Sequence, residues 1–258
     1  MGKVILEVCN ETPEVTVGAA IEHSTSPMLG LDAGDVAGIG ARGVIITDKI
    51  TDVVDNFDVL IDFTFADAVM ATVEACRKAG KKMVIGTTGL DEAKKEVISK
   101  AAEDIAIVYA PNMSIGVNLV FKLVQLAARI IGDGTDIEII EAHHNQKKDA
   151  PSGTAIRLGE IIAAELGRNL ADCAVYGREG VTGVRDPRSI GFETIRAGDI
   201  VGEHTVMFAT AGERVEISHI ASSRRTFAAG AVLASCWLQG RDNGLYDMQD
   251  VLGLHSLN

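Results

Sequence analysis

The sequence predicts an α/β protein with two parts: a domain built on a parallel sheet, and an α+β domain with an open mixed sheet. In the first half, continuous apolar runs alternate with helical stretches, a pattern typical of parallel strands that helices cover on both faces. In the second half, a long apolar helix precedes segments in which apolar and polar residues alternate, which indicates a sheet with one packed face and one open face.

The first half of the chain supplies the strands and helices of the parallel sheet. The predicted strands are 15–21, 59–63, 83–85 and 105–109, and the predicted helices lie near 66–79 and 92–102. Ligands of such sheets bind beyond the carboxyl ends of the strands. The residues that follow these strands are therefore candidate binding residues, namely Glu22, Thr64, 86–89 and 110–113.

Two of these segments suggest a dinucleotide ligand. An acidic residue at the position of Glu22 accepts hydrogen bonds from the ribose hydroxyls of adenosine in dinucleotide-binding folds. The turn Gly86-Thr87-Thr88-Gly89 allows the backbone to approach a ligand closely, because glycine lacks a Cβ. A surface glutamate and a tight strand-to-helix turn are the alternatives, and the residues alone leave both open.

From about residue 116 the pattern changes to that of the second domain. We expect a long helix as far as residue 131, a buried strand at 137–140 and a helix at 155–166. Strand-like runs follow, separated by turns at Gly198-Asp199 and at 211–213, which we interpret as hairpins. The open face of the resulting sheet suggests oligomerisation.

The segment 141–155 concentrates reactive side chains at the end of a strand. It contains His143, His144 and Lys147, followed by a helix start at 151–154. Helix N-termini attract carboxylates or phosphates, and lysine and histidine add positive charge and proton donors. In a chain with a net charge of −12, this basic cluster indicates a small anionic ligand. The alternatives are a solvated strand end and a metal site. We expect no metal, because adjacent histidines on a strand point to opposite faces.

This segment resembles the signature of the 4-hydroxy-tetrahydrodipicolinate reductase (dihydrodipicolinate reductase) family. The matching residues are Glu141-Ala142-His143-His144, Lys147 and 149–155. The resemblance extends from about Met1 to the C-terminus and includes 84–89, 110–114 and 191–223. Such motifs are more specific than a lone glycine pattern.

The resemblance implies NAD(P)H-dependent reduction of 4-hydroxy-tetrahydrodipicolinate to tetrahydrodipicolinate in lysine and diaminopimelate biosynthesis. It implies that His143 is the general acid and that Lys147 takes part in proton donation and carboxylate binding. The residues that would hold the substrate carboxylates are His144, Gly153 and Thr154. The implied cofactor contacts are Gly86, Thr87, Thr88, Ala110, Pro111, Asn112 and Met113.

The resemblance also implies a domain division. Residues 1–114 and 224–258 correspond to a Rossmann-type dinucleotide-binding domain, and residues 115–223 to a substrate-binding domain through which a homotetramer assembles. Relatives begin with a strand and a glycine-rich turn that ends in Arg-Met-Gly, so Met1-Gly2 corresponds to the end of that turn. We therefore expect unpaired strand edges beside the position of that strand, and either a start of translation further upstream or an impaired enzyme.

The cofactor preference follows from a departure from the family pattern. His23 stands next to Glu22, where relatives often have an arginine that pairs with a 2′-phosphate. The sequence therefore favours NADH over NADPH without excluding NADPH.

The composition restricts the partners and the compartment. The chain has 36 acidic and 24 basic residues, whereas proteins that bind nucleic acids or anionic membranes need a surface with extended positive potential. We therefore expect neither a nucleic-acid nor a membrane partner. The four cysteines are scattered, which is typical of reduced thiols in the cytoplasm. We also expect neither a signal peptide nor a membrane span.

Two other functions remain open at this level. One is an impaired homologue that binds dicarboxylates without NADH. The other is a different dinucleotide oxidoreductase, such as an aspartate dehydrogenase or a semialdehyde-type enzyme; the semialdehyde-type enzyme would need a catalytic cysteine, and no cysteine here lies in a suitable loop.

Overall fold

The computed structural model describes residues 1–256 and divides the chain into two compact units. Unit 1 contains Met1–Ile115 together with the C-terminal segment that begins at Arg224, and unit 2 contains Gly116–Ser223. The predicted fold class is confirmed, because a parallel sheet and a separate mixed sheet are both present.

Unit 1 is built from parallel strands and the helices that connect them. Its strands are β1 (Ala20–Ile21), β2 (Ile46–Thr47), β3 (Val59–Asp62), β4 (Lys82–Ile85), β5 (Ala106–Tyr109) and β11 (Gly244–Tyr246). Its helices are α1 (Gly2–Glu11), α2 (Ala33–Ala37), α3 (Ile50–Val53), α4 (Val69–Ala79), α5 (Glu92–Ala101), α9 (Arg225–Trp237) and α10 (Met248–Val251). The pairs β3–β4 and β4–β5 are parallel, as predicted, and β11, which was not predicted, also pairs in parallel with β5.

The sheet of unit 1 is interrupted. Strand β1 pairs only with β2, and β3 is the edge of the sheet with the order β11-β5-β4-β3, among the residues described. A cavity of about 650 Å³ is lined by residues of β1, β3 and α1. The predicted strand 15–21 is therefore wrong over most of its length, because a strand needs a neighbour and only Ala20 and Ile21 have one. The expected unpaired edges are present.

The core of unit 1 lies on both faces of the larger sheet. Met83, Ile85 and Ile107 are fully buried on the side of α4 and α5. Val84 and Val108 are fully buried on the opposite side, against α9 and α10. Successive residues of one strand thus enter different cores, which explains why these strands are continuously apolar.

Unit 2 is a five-stranded mixed sheet with helices on one face. Its strands are β6 (Asp136–His143), β7 (Ala174–Tyr176), β8 (Ile190–Arg196), β9 (Gly202–Thr210) and β10 (Glu213–Ala221), and its helices are α6 (Ile115–Ile131), α7 (Gly153–Glu165) and α8 (Leu170–Cys173). The strand order is β10-β9-β6-β8-β7. Strand β6 is parallel to β8 and antiparallel to β9, so it occupies the centre of the sheet.

One predicted hairpin is correct and the other is wrong. Strands β9 and β10 form an antiparallel pair around Ala211 and Gly212, as predicted. The turn at Gly198-Asp199 does not form a hairpin, because β6 lies between β8 and β9. A local turn signal gives the reversal of direction but not the identity of the neighbouring strand.

Helix α6 is the core helix of unit 2. Val117, Val124 and Ala128 pack in a cluster with Ile137 and Ile139 of β6. The stretch Ile115–Gly134 is long and apolar enough to cross a membrane by length and composition alone. Core helices of soluble proteins meet the same criterion, so this stretch is weak evidence for a membrane span.

Candidate active site

The centre of the candidate site is the carboxyl end of β6. Glu141 and His143 extend from the helix-facing side of this strand, and Glu141 lies opposite Thr194 of β8 and His204 of β9. His143 lies opposite Arg196 of β8. Together with one residue at the start of α7, these side chains form a set that we call the Glu141 cluster, consisting of Glu141, His143, Ser152, Thr194, Arg196 and His204.

Glu141 is the common acceptor of this cluster. Its two carboxylate oxygens accept hydrogen bonds from both terminal nitrogens of Arg196, at 2.8 and 2.9 Å. The backbone N–H of Ser152 donates to Oε1 at 3.1 Å, and the hydroxyl of Thr194 donates to the same oxygen at 3.2 Å. Oε2 lies 2.5 Å from Nδ1 of His143. One carboxylate that is only 2% exposed therefore joins two strands to the start of a helix.

The cluster sets the protonation of Glu141 and His143. Although burial opposes ionisation of Glu141, hydrogen bonds from Arg196 and His143 hold the pKa of its carboxyl below the ordinary value. Burial lowers the pKa of His143, and the hydrogen bond and charge of Glu141 offset part of this effect. The positive charges of Lys147 and Arg196 lower the pKa of His143 further. A carboxylate and a neutral imidazole are therefore the resting forms at neutral pH.

His204 is a second buried imidazole that the sequence analysis missed. Its ring lies edge-on to that of His143, with centroids 5.1 Å apart, and its Nε2 is 2.9 Å from the hydroxyl oxygen of Ser152. Burial lowers the pKa of His204 to about 3, so this ring is neutral and packs against His143. The sequence signal for His204 was its place in the segment 191–223, which resembles the family, but only the strand register brings it to the site.

The loop between β8 and β9 holds the two adjacent histidines. The N–H of Ala197 donates to the carbonyl of His143, and the N–H of His144 donates to the carbonyl of Ile200. Gly202 begins β9, and a Cβ at that position would lie 3.1 Å from Nε2 of His143. The absence of a side chain at Gly202 therefore leaves the outer nitrogen of His143 uncrowded.

The predicted substrate-binding residues follow β6 and begin α7. Lys147 forms an ion pair with Asp149, with Nζ 2.8 Å from Oδ2. Ser152 is the N-cap of α7, and its hydroxyl accepts a hydrogen bond from the N–H of Ala155 at 3.2 Å. Gly153 and Thr154 are the first two residues of α7, where backbone N–H groups and the positive end of the helix dipole favour an anion.

In unit 1, the candidate cofactor residues lie beyond the carboxyl ends of the parallel strands. Glu22 directly follows β1, and both Glu22 and His23 are exposed. Glu22 accepts a hydrogen bond from the N–H of His23 at 2.9 Å, which leaves carboxylate oxygen sites for ribose hydroxyls. These residues fit the adenosine part of a dinucleotide.

The turn after β4 has an internal partner that the sequence analysis missed. Asp62, at the end of β3, is 3% exposed and accepts hydrogen bonds from the hydroxyls of Thr64, Thr72 and Thr87. Thr87 is therefore buried and directed inward, whereas Thr88 is exposed. A Cβ at Gly86 would lie 2.5 Å from the ring of Phe63, so this glycine is already required by packing.

The turn after β5 is partly buried. Ala110 and Met113 belong to a core cluster of unit 1, while Pro111 is exposed. The side-chain oxygen of Asn112 accepts a hydrogen bond from the N–H of Ser114, which fixes the turn. A ligand at this turn would meet the backbone of Ala110 and Met113 rather than their side chains.

Burial makes three of the four cysteines poor candidates for a catalytic nucleophile. Burial raises the pKa of Cys9 to about 11 and that of Cys76 to about 12, and it also raises the pKa of Cys173. Thiols of this kind are weak nucleophiles because the thiolate is the reactive form.

One group of side chains in the described residues has the composition of a metal site. Asp247, Asp250 and His255 place one ligand atom each within 4.8 Å of one another. The two aspartates form the capping box of α10, which accounts for their proximity.

The fold and the site define a class of protein. A parallel sheet with a glycine turn beyond its carboxyl edge, a further pair of parallel strands followed by an acidic residue, and a second unit that offers a histidine beside a helix N-terminus are typical of two-domain nicotinamide-dinucleotide oxidoreductases. Comparison with protein families identifies the particular group. The family described as dihydrodipicolinate reductase, N-terminus, matches residues 1–113, and dihydrodipicolinate reductase, C-terminus, matches residues 116–252. The chain belongs to the dihydrodipicolinate reductase family.

Curated relatives give the same result. A protein of Hahella chejuensis named 4-hydroxy-tetrahydrodipicolinate reductase is 58% identical over 98% of this chain and 95% of its own length. A protein of the same name from Methylococcus capsulatus is 57% identical over 98% of this chain and 94% of its own length. The resemblance identified from the motifs is thus confirmed, and it favours the reductase over an aspartate dehydrogenase.

Solved structures show the same fold. A dipicolinate-bound dihydrodipicolinate reductase from Paenisporosarcina sp. TG-14 has a TM-score of 0.73 at 22% identity, covering 96% of this chain and 94% of that one. A probable dehydrogenase from Thermotoga maritima has a TM-score of 0.59 at 10% identity, covering 96% and 88%. At these identities the likeness concerns the fold alone.

Proposed function

We propose that this protein reduces 4-hydroxy-tetrahydrodipicolinate to tetrahydrodipicolinate with a nicotinamide dinucleotide, as a step in lysine and diaminopimelate biosynthesis. This is the activity that both curated relatives carry in their names. The observation in this chain that carries the proposal is the Glu141 cluster, which holds His143 beside the anion-binding start of α7.

The reaction requires one hydride, one proton and the loss of one water. The 4-hydroxyl group leaves as water, and a hydride and a proton add across the double bond that forms. When bound, the nicotinamide cofactor supplies the hydride. The protein has to bind two carboxylates and deliver the proton.

His143 delivers the proton in this proposal. The pKa of its imidazole is low in the absence of ligand, because of burial and of the charges of Lys147 and Arg196. A bound dicarboxylate brings two negative charges, which favour the imidazolium form and offset these effects. Binding of the substrate therefore loads the proton that the reaction consumes.

The substrate carboxylates bind to His144, Lys147, Gly153 and Thr154. Lys147 is held by Asp149 in the structure, and a substrate carboxylate would compete with Asp149 for its ammonium group. The N–H groups at the start of α7 supply donors for a second carboxylate. Lys147 also assists proton delivery through its charge.

Residues 1–114 and 224–258 bind the cofactor, and residues 115–223 bind the substrate and form the homotetramer. Glu22 binds the adenosine ribose, and the turns at 86–88 and 110–113 contact the nicotinamide side. Glu22 repels a 2′-phosphate and His23 cannot replace an arginine as its partner, which favours NADH.

The isoleucines Ile195 and Ile220, 47% and 69% exposed on the open face of the unit 2 sheet, support self-association through that face. The cytoplasmic location stays a prediction from the sequence.

Steady-state oxidation of NADH and of NADPH by the purified chain tests this proposal. The substrate is freshly generated 4-hydroxy-tetrahydrodipicolinate, and reactions without substrate serve as the control. We expect substrate-dependent turnover with a higher kcat/KM for NADH. Binding of dicarboxylates without turnover of either cofactor would instead support the impaired homologue.

A further inference from the structure

We propose that Glu141 is a positioning residue for the reaction: its carboxylate fixes the tautomer and orientation of His143 and ties the proton donor to the anion-binding start of α7. This inference rests on the proposed function of His143. It assigns a task to a buried side chain whose hydrogen-bond partners are protein groups and to which the sequence analysis gave no role.

The hydrogen bonds around Glu141 determine where the proton on His143 lies. An ionised carboxylate has only acceptor sites, and Arg196 supplies two donors to it. The proton in the 2.5 Å contact between Glu141 and His143 is therefore carried by Nδ1 of His143. Nε2 is then the nitrogen that gains a proton for the reaction and gives it up.

The surroundings of His143 agree with this assignment. Nε2 lies on the side of Gly202, which has no Cβ to crowd it. The opposite, Nδ1 side of the ring is closed by Glu141. A ring flip would place a carbon against the carboxylate and leave the buried charge with one donor fewer, so the arrangement holds His143 in one orientation.

Glu141 also connects the proton donor to the anion site. The same oxygen that accepts from Arg196 accepts from the N–H of Ser152, the N-cap of α7. Arg196 in turn donates to the backbone carbonyl of Asp149, two residues after Lys147. One buried carboxylate thus holds the loop between β6 and α7 in a fixed relation to His143.

A structural ion pair is the competing explanation, and the chain contains a matched control for it. Glu138 lies on the same strand, three residues earlier. Its carboxylate accepts hydrogen bonds from two arginines, Arg178 and Arg185, as that of Glu141 does from Arg196. Burial opposes its ionisation, but these arginines keep the pKa of Glu138 below the ordinary value, as with Glu141. Glu138 extends from the other face of the sheet and has no bond to His143. The variants Glu141→Gln and Glu138→Gln each remove from β6 one carboxylate charge that is hydrogen-bonded to arginine. Only Glu141→Gln removes a charge that contacts the proton donor, His143.

Kinetics of these variants separate the two explanations. We expect Glu141→Gln to lower kcat by at least about tenfold, and by no more than the ~10²- to 10⁴-fold that a general acid contributes. The groups facing His143 are Glu141, Lys147, Arg196 and His204, and of these only Glu141 is an anion. Its loss lowers the pKa of His143, so the high-pH limb of the kcat profile moves to lower pH. Glu138→Gln should keep the wild-type kcat and pH profile.

The position of the proton can be measured without turnover. In ¹⁵N-histidine NMR of the wild-type chain, we expect the neutral form of His143 to carry its proton on Nδ1, with His143→Gln providing the assignment. A wild-type His143 that carries its proton on Nε2 would overturn the inference, whether or not Glu141→Gln folds. Equal kcat and pH profiles for the two glutamine variants would also overturn it. Absence of turnover by the wild type would count against the proposed function instead, while the NMR result would still decide the position of the proton.

Discussion

His143 operates in surroundings that oppose its own charge. The residue is buried, and the two cations near it, Lys147 and Arg196, lower its pKa. The adjacent His204 is neutral and adds no proton of its own. The imidazole is therefore mostly unprotonated until an anionic ligand binds. In the proposed mechanism, this links proton delivery to binding of the dicarboxylate.

Replacement of His143 by glutamine tests its role as the proton donor. We expect kcat to fall by about 10²- to 10⁴-fold, the usual contribution of a general acid. The dissociation constant for NADH should change little, because the candidate cofactor residues belong to unit 1. Stopped-flow kinetics and fluorescence titration with NADH measure the two quantities. An equal loss of NADH affinity would contradict this assignment.

The residues of the site differ in how far the sequence could predict them. One segment of the sequence contains all the candidate catalytic and substrate-binding residues, namely His143, His144, Lys147, Gly153 and Thr154. Their partners were not predictable in this way, because Arg196 lies 55 positions from Glu141. Only the register of the sheet places such residues together, and no local pattern encodes it.

Helix α7 is the element on which the proposed substrate binding depends. Its N-cap, Ser152, is held from two sides: its hydroxyl contacts His204, and its N–H donates to Glu141. The first turn of the helix is therefore fixed before a carboxylate binds to it. Such preorganisation reduces the entropy lost on binding.

Ser152→Ala tests the contribution of this helix start. Loss of the cap should lower the free energy of unfolding by about 0.5–2 kcal/mol. It should also raise KM for the substrate more than it changes kcat, because His143 keeps its bond to Glu141. Denaturant unfolding and steady-state kinetics measure the two effects. If KM stays at the wild-type value while stability falls, the start of α7 is not part of the carboxylate site.

At the level of elements, the sequence predicted best where a segment is long and continuously apolar. The helices α4, α5 and α6 and the strands β3 to β6 were each expected within a few residues of their observed bounds. The two-residue strands β1 and β2 and the returning strand β11 have too little sequence to produce a pattern. The central position of β6 was also missed, since it depends on pairings between distant segments.

Each unit has its own hydrophobic core: unit 2 has one main cluster, and unit 1 has separate clusters on the two faces of its larger sheet. The half-buried carboxylate of Glu138 and the buried carboxylate of Glu141 both lie in unit 2, and each is ionised because arginine hydrogen bonds outweigh the effect of burial. A carboxyl group with a lowered pKa in the folded state stabilises the fold above its unfolded-state pKa. That stabilisation disappears as the pH falls through the folded-state pKa.

Acid unfolding measures this contribution. The stability of the chain should fall as the pH decreases below about 6.5, because His143, His204 and His219 have lowered pKa values in the folded state and gain protons first in the unfolded chain. It should fall more steeply below about 4.5, the ordinary value for glutamate, where Glu138 and Glu141 titrate. Glu138→Gln should lower stability at pH 7 and reduce the slope below pH 4.5, because one of the two carboxyl groups no longer titrates. Urea unfolding at a series of pH values gives the free energy of unfolding at pH 7 and its slope below pH 4.5. An unchanged slope in this variant would show that Glu138 is not ionised in the folded protein.

The central claim is that this chain transfers hydride from a nicotinamide dinucleotide to the dicarboxylate ring. The most direct test uses NADH that carries deuterium at both C4 positions, with 4-hydroxy-tetrahydrodipicolinate, and analyses the quenched product by mass spectrometry. We expect tetrahydrodipicolinate with one deuterium for each NADH oxidised. Oxidation of NADH with no deuterium in the product, or binding of both ligands without any product, would contradict it.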